Sequence, residues 1–109
     1  MNLAEKVANL LEDKKARDVK TIDVQGVTTV ADYFVIASGS SSLQVKALCD
    51  ILEEELEKDG IRPRHIEGYN DATWILMDYL DVVVHIFYYE TREEYTLEEL
   101  WSKAPQLDT

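Results

Sequence analysis

Several groups of residues in this chain have types and spacings that could do chemistry. Gly39-Ser40-Ser41-Ser42 closes a hydrophobic run and opens a helix-like pattern, and backbone N–H groups at a helix start can hold phosphate. Asp78, Asp81 and His85 surround a segment that folds back on itself; carboxylates and imidazole can ligate metals or carry protons. His65 sits beside Arg62 and Arg64, and Cys49 is the single thiol. Trp74 stands in a strand-like run that also carries Asp78.

Each group has a plainer reading. Nucleotidyl transfer needs two metal-binding carboxylates one residue apart within about a dozen residues of the Gly-Ser pair, because they share two Mg²⁺ ions. The window after Gly39-Ser40 offers Asp50, Ile51, Leu52 and Glu53, and no Gly-Lys-Ser or Gly-Lys-Thr occurs anywhere. The serines are therefore expected to cap a helix, with phosphate binding as the alternative. Around Asp78, Asp81 and His85 no nucleophile is present, so a structural or interface role is expected, with no catalytic residue and no metal. His65 and its arginines read as a solvated basic patch. Cys49 reads as a buried small hydrophobe.

Alternation places Trp74, Leu76 and Asp78 on one face of their strand and Thr73, Ile75, Met77 and Tyr79 on the other. An Asp78 inside a core would be costly unless paired. Two readings stay open: a buried Trp74 with Asp78 at the sheet rim, or a partly open face on which both dock a basic partner. On the second, Trp74→Ala with Asp78→Lys should abolish binding and leave the fold intact.

The elements that must position these residues follow from periodicity. Asn2 and Glu5 have capping-box spacing ahead of Leu3, Val7, Leu10 and Leu11, a short amphipathic helix. VKTIDVQG, residues 19–26, alternates as a strand with Ile22 and Val24 on one face. DYFVIAS, residues 32–38, is apolar on both faces, as in a central strand. Ser41 and Gln44 open a second helix with a buried stripe of Leu43, Ala47, Leu48, Ile51, Leu52 and Leu56, ended by Gly60 and Pro63. IRPRHIEGYND reads as a weak strand and turn, and TWILMDYLDVVVHIFYY as a hairpin of two strong strands. EEELEKD, residues 53–59, is the solvated face of the second helix. Thr96 and Glu99 cap a last helix with Leu97, Leu100 and Trp101, followed by Pro105 and a polar tail. The crossover of about twenty residues allows parallel flanking strands, with the antiparallel hairpin added later.

The fold class is therefore α/β (α+β): a single domain, residues 1–104, on a mixed, mostly five-stranded sheet flanked by helices, with residues 105–109 as a tail. At 109 residues and 46% hydrophobic content, one core is expected. Twenty-two acids against eleven bases give a formal charge of −11, which disfavours direct nucleic-acid binding and favours a basic protein partner. A lone cysteine, no zinc-type spacing and no long apolar run point to a reducing, cytoplasmic setting without membrane or cofactor.

The order of several weak patterns then becomes specific. DVQG at Asp23–Gly26, ADYFVIASGSSSLQV at Ala31–Val45, EG at Glu67-Gly68, TWILMDY, DVVVHIF and a closing Arg92, Tyr95, Leu97, Glu98, Leu100, Trp101 pattern run in register. The chain resembles the ribosomal silencing factor family, RsfS, also called Iojap. The resemblance implies a nucleotidyltransferase-like fold lacking the catalytic acids, and a non-enzymatic protein. Such a protein would bind the large ribosomal subunit through ribosomal large-subunit protein fourteen, block an intersubunit bridge and repress translation when nutrients are short. It also implies partner contacts at Trp74, Asp78 and Tyr79, with Glu67 and Asp81 weaker. Where the family commonly has glycine before that Asp, this chain has Leu80, which would cost on the order of 1 kcal/mol if the turn needs φ > 0. An exposed Leu80 would instead add apolar docking area. A homodimer of the free protein, a nucleotide-binding enzyme and a large-subunit assembly factor are the further expectations to be weighed.

Overall fold

Asn2 starts the first helix, α1 (Leu3–Asp13): its side chain accepts the Glu5 N–H at 2.8 Å, removing one of the unpaired donors of the first turn. The structure, a computed structural model, describes residues 2–95. The helix expected from Thr96 and Glu99, with Leu97, Leu100 and Trp101, lies outside those residues, as do Glu98 and the tail from Pro105. After α1 come β1 (Arg17–Asp23), β2 (Tyr33–Gly39), α2 (Ser42–Glu57), β3 (His65–Glu67), β4 (Trp74–Asp78), β5 (Val82–Tyr88) and the single turn α3 (Tyr89–Arg92).

The five strands form one sheet in the order β1-β2-β5-β4-β3. Only β2 and β5 pair in parallel, and the other neighbours are antiparallel. The parallel strands are thus β2 and the second strand of the hairpin, while the first strand after the α2 crossover sits at the far edge. This mixed sheet flanked by helices is the architecture expected from the pattern.

Both central strands are buried along nearly their whole length, which is why their sequences are apolar without alternation. One sheet face carries Val35, Ala37, Ile75, Met77, Tyr79, Val84 and Ile86 and packs on α1 and α2. The other carries Phe34, Ile36, Leu76, Val83 and Phe87 with Val24, Val30 and Ala31.

Both bounds of β1 and one helix face differ from the sequence reading, which also ran the hairpin through Tyr89, where α3 begins. β1 begins at Arg17 because a bulge between Arg17 and Lys20 carries the ladder back to Ser38. It ends at Asp23, whose carboxylate accepts the Gln25 N–H and turns the chain away. In α2 the buried residues are Val45, Leu48, Cys49, Leu52 and Leu56. Leu43 is 78% exposed and Ala47 is exposed too; the capped first turn orients the helix so that Val45, not Leu43, meets the sheet. Gly60, at φ +75, takes the left-handed position after the helix, as glycine there can.

Candidate functional site

Asp78 ends β4 and is wholly buried. Its Oδ2 accepts from Arg64 Nη2 at 2.8 Å and Nε at 3.2 Å, and its Oδ1 accepts the Leu80 N–H at 2.8 Å. The Arg64 N–H also donates to the Asp78 carbonyl at 2.7 Å. Neither open reading of Asp78 holds in full: it is neither at an exposed rim nor on an open face, but buried and paired. A buried carboxylate is tolerable on these terms because fork-shaped guanidinium bonding and a backbone N–H replace its water. Leaving the fold intact after Asp78→Lys is therefore not an outcome this geometry permits, since an ammonium would face Arg64 in a dry site.

The turn beyond Asp78 is tight. The Asp81 N–H donates to the Tyr79 carbonyl at 3.0 Å, and Leu80 between them has φ +76. That is a γ-turn of the positive-φ form, which is rare and strained for a side-chain-bearing residue. Leucine thus occupies the glycine-like conformation rather than forcing a different turn, and its side chain stands 54% exposed. The Tyr79 N–H donates to the Val82 carbonyl at 2.9 Å, while the Asp81 carbonyl accepts from Asp32 and Tyr33 at 2.8 and 3.1 Å. Both sides of the turn are fixed, and Asp81 itself is exposed.

Tyr79 points the other way, toward α2, and is only 6% exposed. Its hydroxyl has no hydrogen-bond partner among the described residues. Burial, then the nearby Glu53 and Cys49, push its pKa up. Glu67 lies on the short edge strand β3 opposite Leu76, with its side chain 41% exposed and 3.8 Å from His65.

Trp74 opens β4 and is half-buried. Its indole N–H donates to His85 Nδ1 at 3.0 Å, and its ring stacks on Phe87 and tilts against Tyr95. That bond requires the unprotonated Nδ1 of His85. Trp74 and Asp78 share one face as alternation required, yet they stand at opposite ends of the strand, roughly 13 Å apart at the usual rise. The structure therefore gathers Leu80 and Asp81 at the tip above Asp78, places Glu67 on the adjoining edge and leaves Trp74 at the far end.

Asp78, Asp81 and His85 are not assembled into one centre: Asp78 holds Arg64, Asp81 is on the turn and His85 holds Trp74. No group of His, Cys, Asp or Glu suited to a metal occurs among the described residues. Ser41 caps α2 by accepting the Gln44 N–H at 3.1 Å, and Gln44 Oε1 in turn accepts both the N–H and the hydroxyl of Ser40 at 2.6 and 2.8 Å. The serine run is a cap. Asp50 lies on α2 and accepts the Tyr69 hydroxyl at 3.1 Å. The expected basic patch is instead laced with acids, Arg62 pairing with Glu57 at 2.9 Å and Arg64 with Asp78. Cys49 is buried, and its thiol pKa is pushed up to about 12 by desolvation, then by Asp50 and Glu53.

Two contributors were not found from sequence. Arg64 could have been sought by asking which cation lies opposite a carboxylate expected on an apolar strand. Gly68, at φ +83, leaves no room for a side chain: a Cβ would stand 2.1 Å from the Trp74 carbonyl oxygen. The Glu67-Gly68 pair is thus the approach point between edge and β4.

Sheet order, register and the two covered faces define a small α/β domain built on a mixed five-stranded sheet. Comparison with known proteins is consistent with this at every level. The family model for RsfS, ribosomal silencing factor during starvation, matches residues 1–109, and the chain belongs to that family. It is 41% identical over 97 residues to ribosomal silencing factor RsfS of Bacillus subtilis, spanning 89% of this chain and 82% of that one. It is also 34% identical over 99 residues to the mouse protein named mitochondrial assembly of ribosomal large subunit protein 1, covering 88% of this chain and 43% of that protein. A crystal structure of a Chromobacterium violaceum protein superposes with a TM-score of 0.83 at 33% identity, covering 94% of this chain and 88% of the other.

Proposed function

We propose that this chain silences translation by occupying ribosomal large-subunit protein fourteen, where it blocks an intersubunit bridge and keeps the small subunit from joining when nutrients are short. It acts by exclusion and not as an enzyme, in the cytoplasm. The observation that carries the reading is family membership over the whole chain. The contact surface is the fixed tip formed by Leu80 and Asp81, with Glu67 on the edge strand opposite Leu76 and Trp74 farther along the same face. Asp78 and Tyr79, being buried, serve that surface by holding the turn rather than by touching the partner.

Two features support the tip. An exposed leucine held rigidly beside an acid loses little entropy on docking, and the formal charge of −11 speeds approach to a basic protein. Calorimetric titration against isolated protein fourteen tests it. Leu80→Ser with Asp81→Lys should weaken binding at least about thirtyfold, as for a hot-spot contact, with thermal stability retained. Unchanged affinity would remove the tip from the interface.

The mouse relative's name favours a second reading, a large-subunit assembly factor. The two differ in outcome: an assembly factor bound to a finished large subunit leaves joining intact.

A further inference from the structure

Away from the hairpin tip, β1, the end of β2 and α3 enclose a cleft of about 330 Å³ lined by Arg17, Asp18, Lys20, Ser38, Tyr89, Arg92 and Glu93. The bulge in β1 builds it. Arg17 pairs with Ser38 and Lys20 with Ile36, so two cations three residues apart fall on one face of the sheet, where a regular strand would put them on opposite faces. Asp18, at φ +49, is the residue that takes up the extra length.

Arg92 reaches into this cleft from α3. Its Nη1 donates to Ser38 Oγ at 2.9 Å and to the Arg17 carbonyl at 3.5 Å. The Arg17 guanidinium lies 5.2 Å above the Tyr89 ring. Ser38 is 1% exposed, and its own hydroxyl proton meets no acceptor among the described residues. Partial burial disfavours the charged form of Arg92, and Asp18 nearby offsets part of that.

In a chain of formal charge −11, the cations of the connection between α2 and β3 are matched: Arg62 with Glu57, Arg64 with Asp78 and Lys58 with Glu55. Arg17, Lys20 and Arg92 form no ion pair with the described residues. Asp18 and Glu93 line the same cleft and are exposed. We infer that the cleft is a site for one phosphate group, bound by the guanidinium groups of Arg17 and Arg92, the Lys20 ammonium and the Ser38 hydroxyl. Planar guanidinium forks suit phosphate oxygens, and a buried hydroxyl adds a directed donor. The inference does not depend on the hairpin tip or on silencing.

The phosphate can belong to a small molecule or to an RNA backbone, and one experiment separates the two. The ¹⁵N-labelled full chain is titrated at low salt with inorganic phosphate and, separately, with a short single-stranded RNA, following backbone amides by NMR. Saturable shifts at Ser38, Tyr89 and Arg92 with phosphate are expected, weakened about tenfold in Lys20→Gln, whose side chain is exposed and forms no ion pair with the described residues. Arg92→Lys, which keeps the charge but loses the fork, should weaken binding as well. RNA binding tighter than phosphate, and falling steeply with salt, assigns the site to a nucleic-acid phosphate; RNA binding no tighter assigns it to a free phosphate. Absence of saturable shifts with both ligands, or equal affinity in Lys20→Gln, overturns the inference.

Discussion

The Asp78 carboxylate, wholly buried, bridges the Arg64 guanidinium and the Leu80 N–H at 2.8 Å each. One side chain thereby ties edge strand, hairpin and turn together. Asp78→Lys should leave no folded protein at room temperature by circular dichroism. Asp78→Asn retains an acceptor for Leu80 but loses the ion pair, and should fold with a loss of about 1–3 kcal/mol, moderated because Arg64 is 42% exposed. A folded, stable Asp78→Lys variant would contradict this account of the turn.

Leu80 at φ +76 stores strain that glycine would not. Leu80→Gly should raise stability by up to about 1 kcal/mol, the left-handed penalty less the extra entropy glycine loses. It should weaken ribosomal binding at the same time, because the exposed isobutyl group is gone. Denaturant melts and subunit binding measured on one preparation check both, and a variant that binds as well as the parent would argue against a docking role for Leu80.

How much of this was legible in sequence depends on which force set each feature. Both helix starts were readable because capping is local: Asn2 to Glu5 and Ser41 to Gln44 are three residues apart. Central strands were readable because burial on both faces demands apolar runs. The face of α2 was read correctly at Leu48, Leu52 and Leu56 and misjudged at Leu43 and Ala47, because the apolar residues of its first turns fit two stripes and only packing against the sheet selects Val45 over Leu43. The sites depended on distance in the chain. Arg64 and Asp78 are fourteen residues apart, Ser38 and Arg92 fifty-four, and neither pairing leaves a local pattern. The strain at Leu80 could be framed from sequence only as a condition, since its φ depends on the Asp78 and Asp81 contacts.

Tyr79 buries a hydroxyl with no partner among the described residues. Tyr79→Phe should therefore be neutral or stabilising by about 1 kcal/mol, since removing an unsatisfied polar group removes its desolvation penalty. Thermal unfolding decides this, and a marked loss of stability would show that the hydroxyl is bonded.

The Cys49 thiol, buried with a pKa of about 12, should resist alkylation in the native state at pH 8 and react at once in denaturant. The folded pKa is raised, so the native state keeps its proton where the unfolded chain has lost it. Stability should accordingly fall as pH rises from about 9 toward 12, with Tyr79 adding to the decline at the alkaline end. Rapid native labelling at pH 8 would show that Cys49 is exposed.

Silencing by exclusion is tested most directly by sedimentation of purified large subunits with the protein, followed by addition of small subunits. The account predicts co-migration with the large subunit and loss of the joined-ribosome peak, with both effects relieved by Leu80→Ser and Asp81→Lys together. Co-migration with joining undiminished would contradict it.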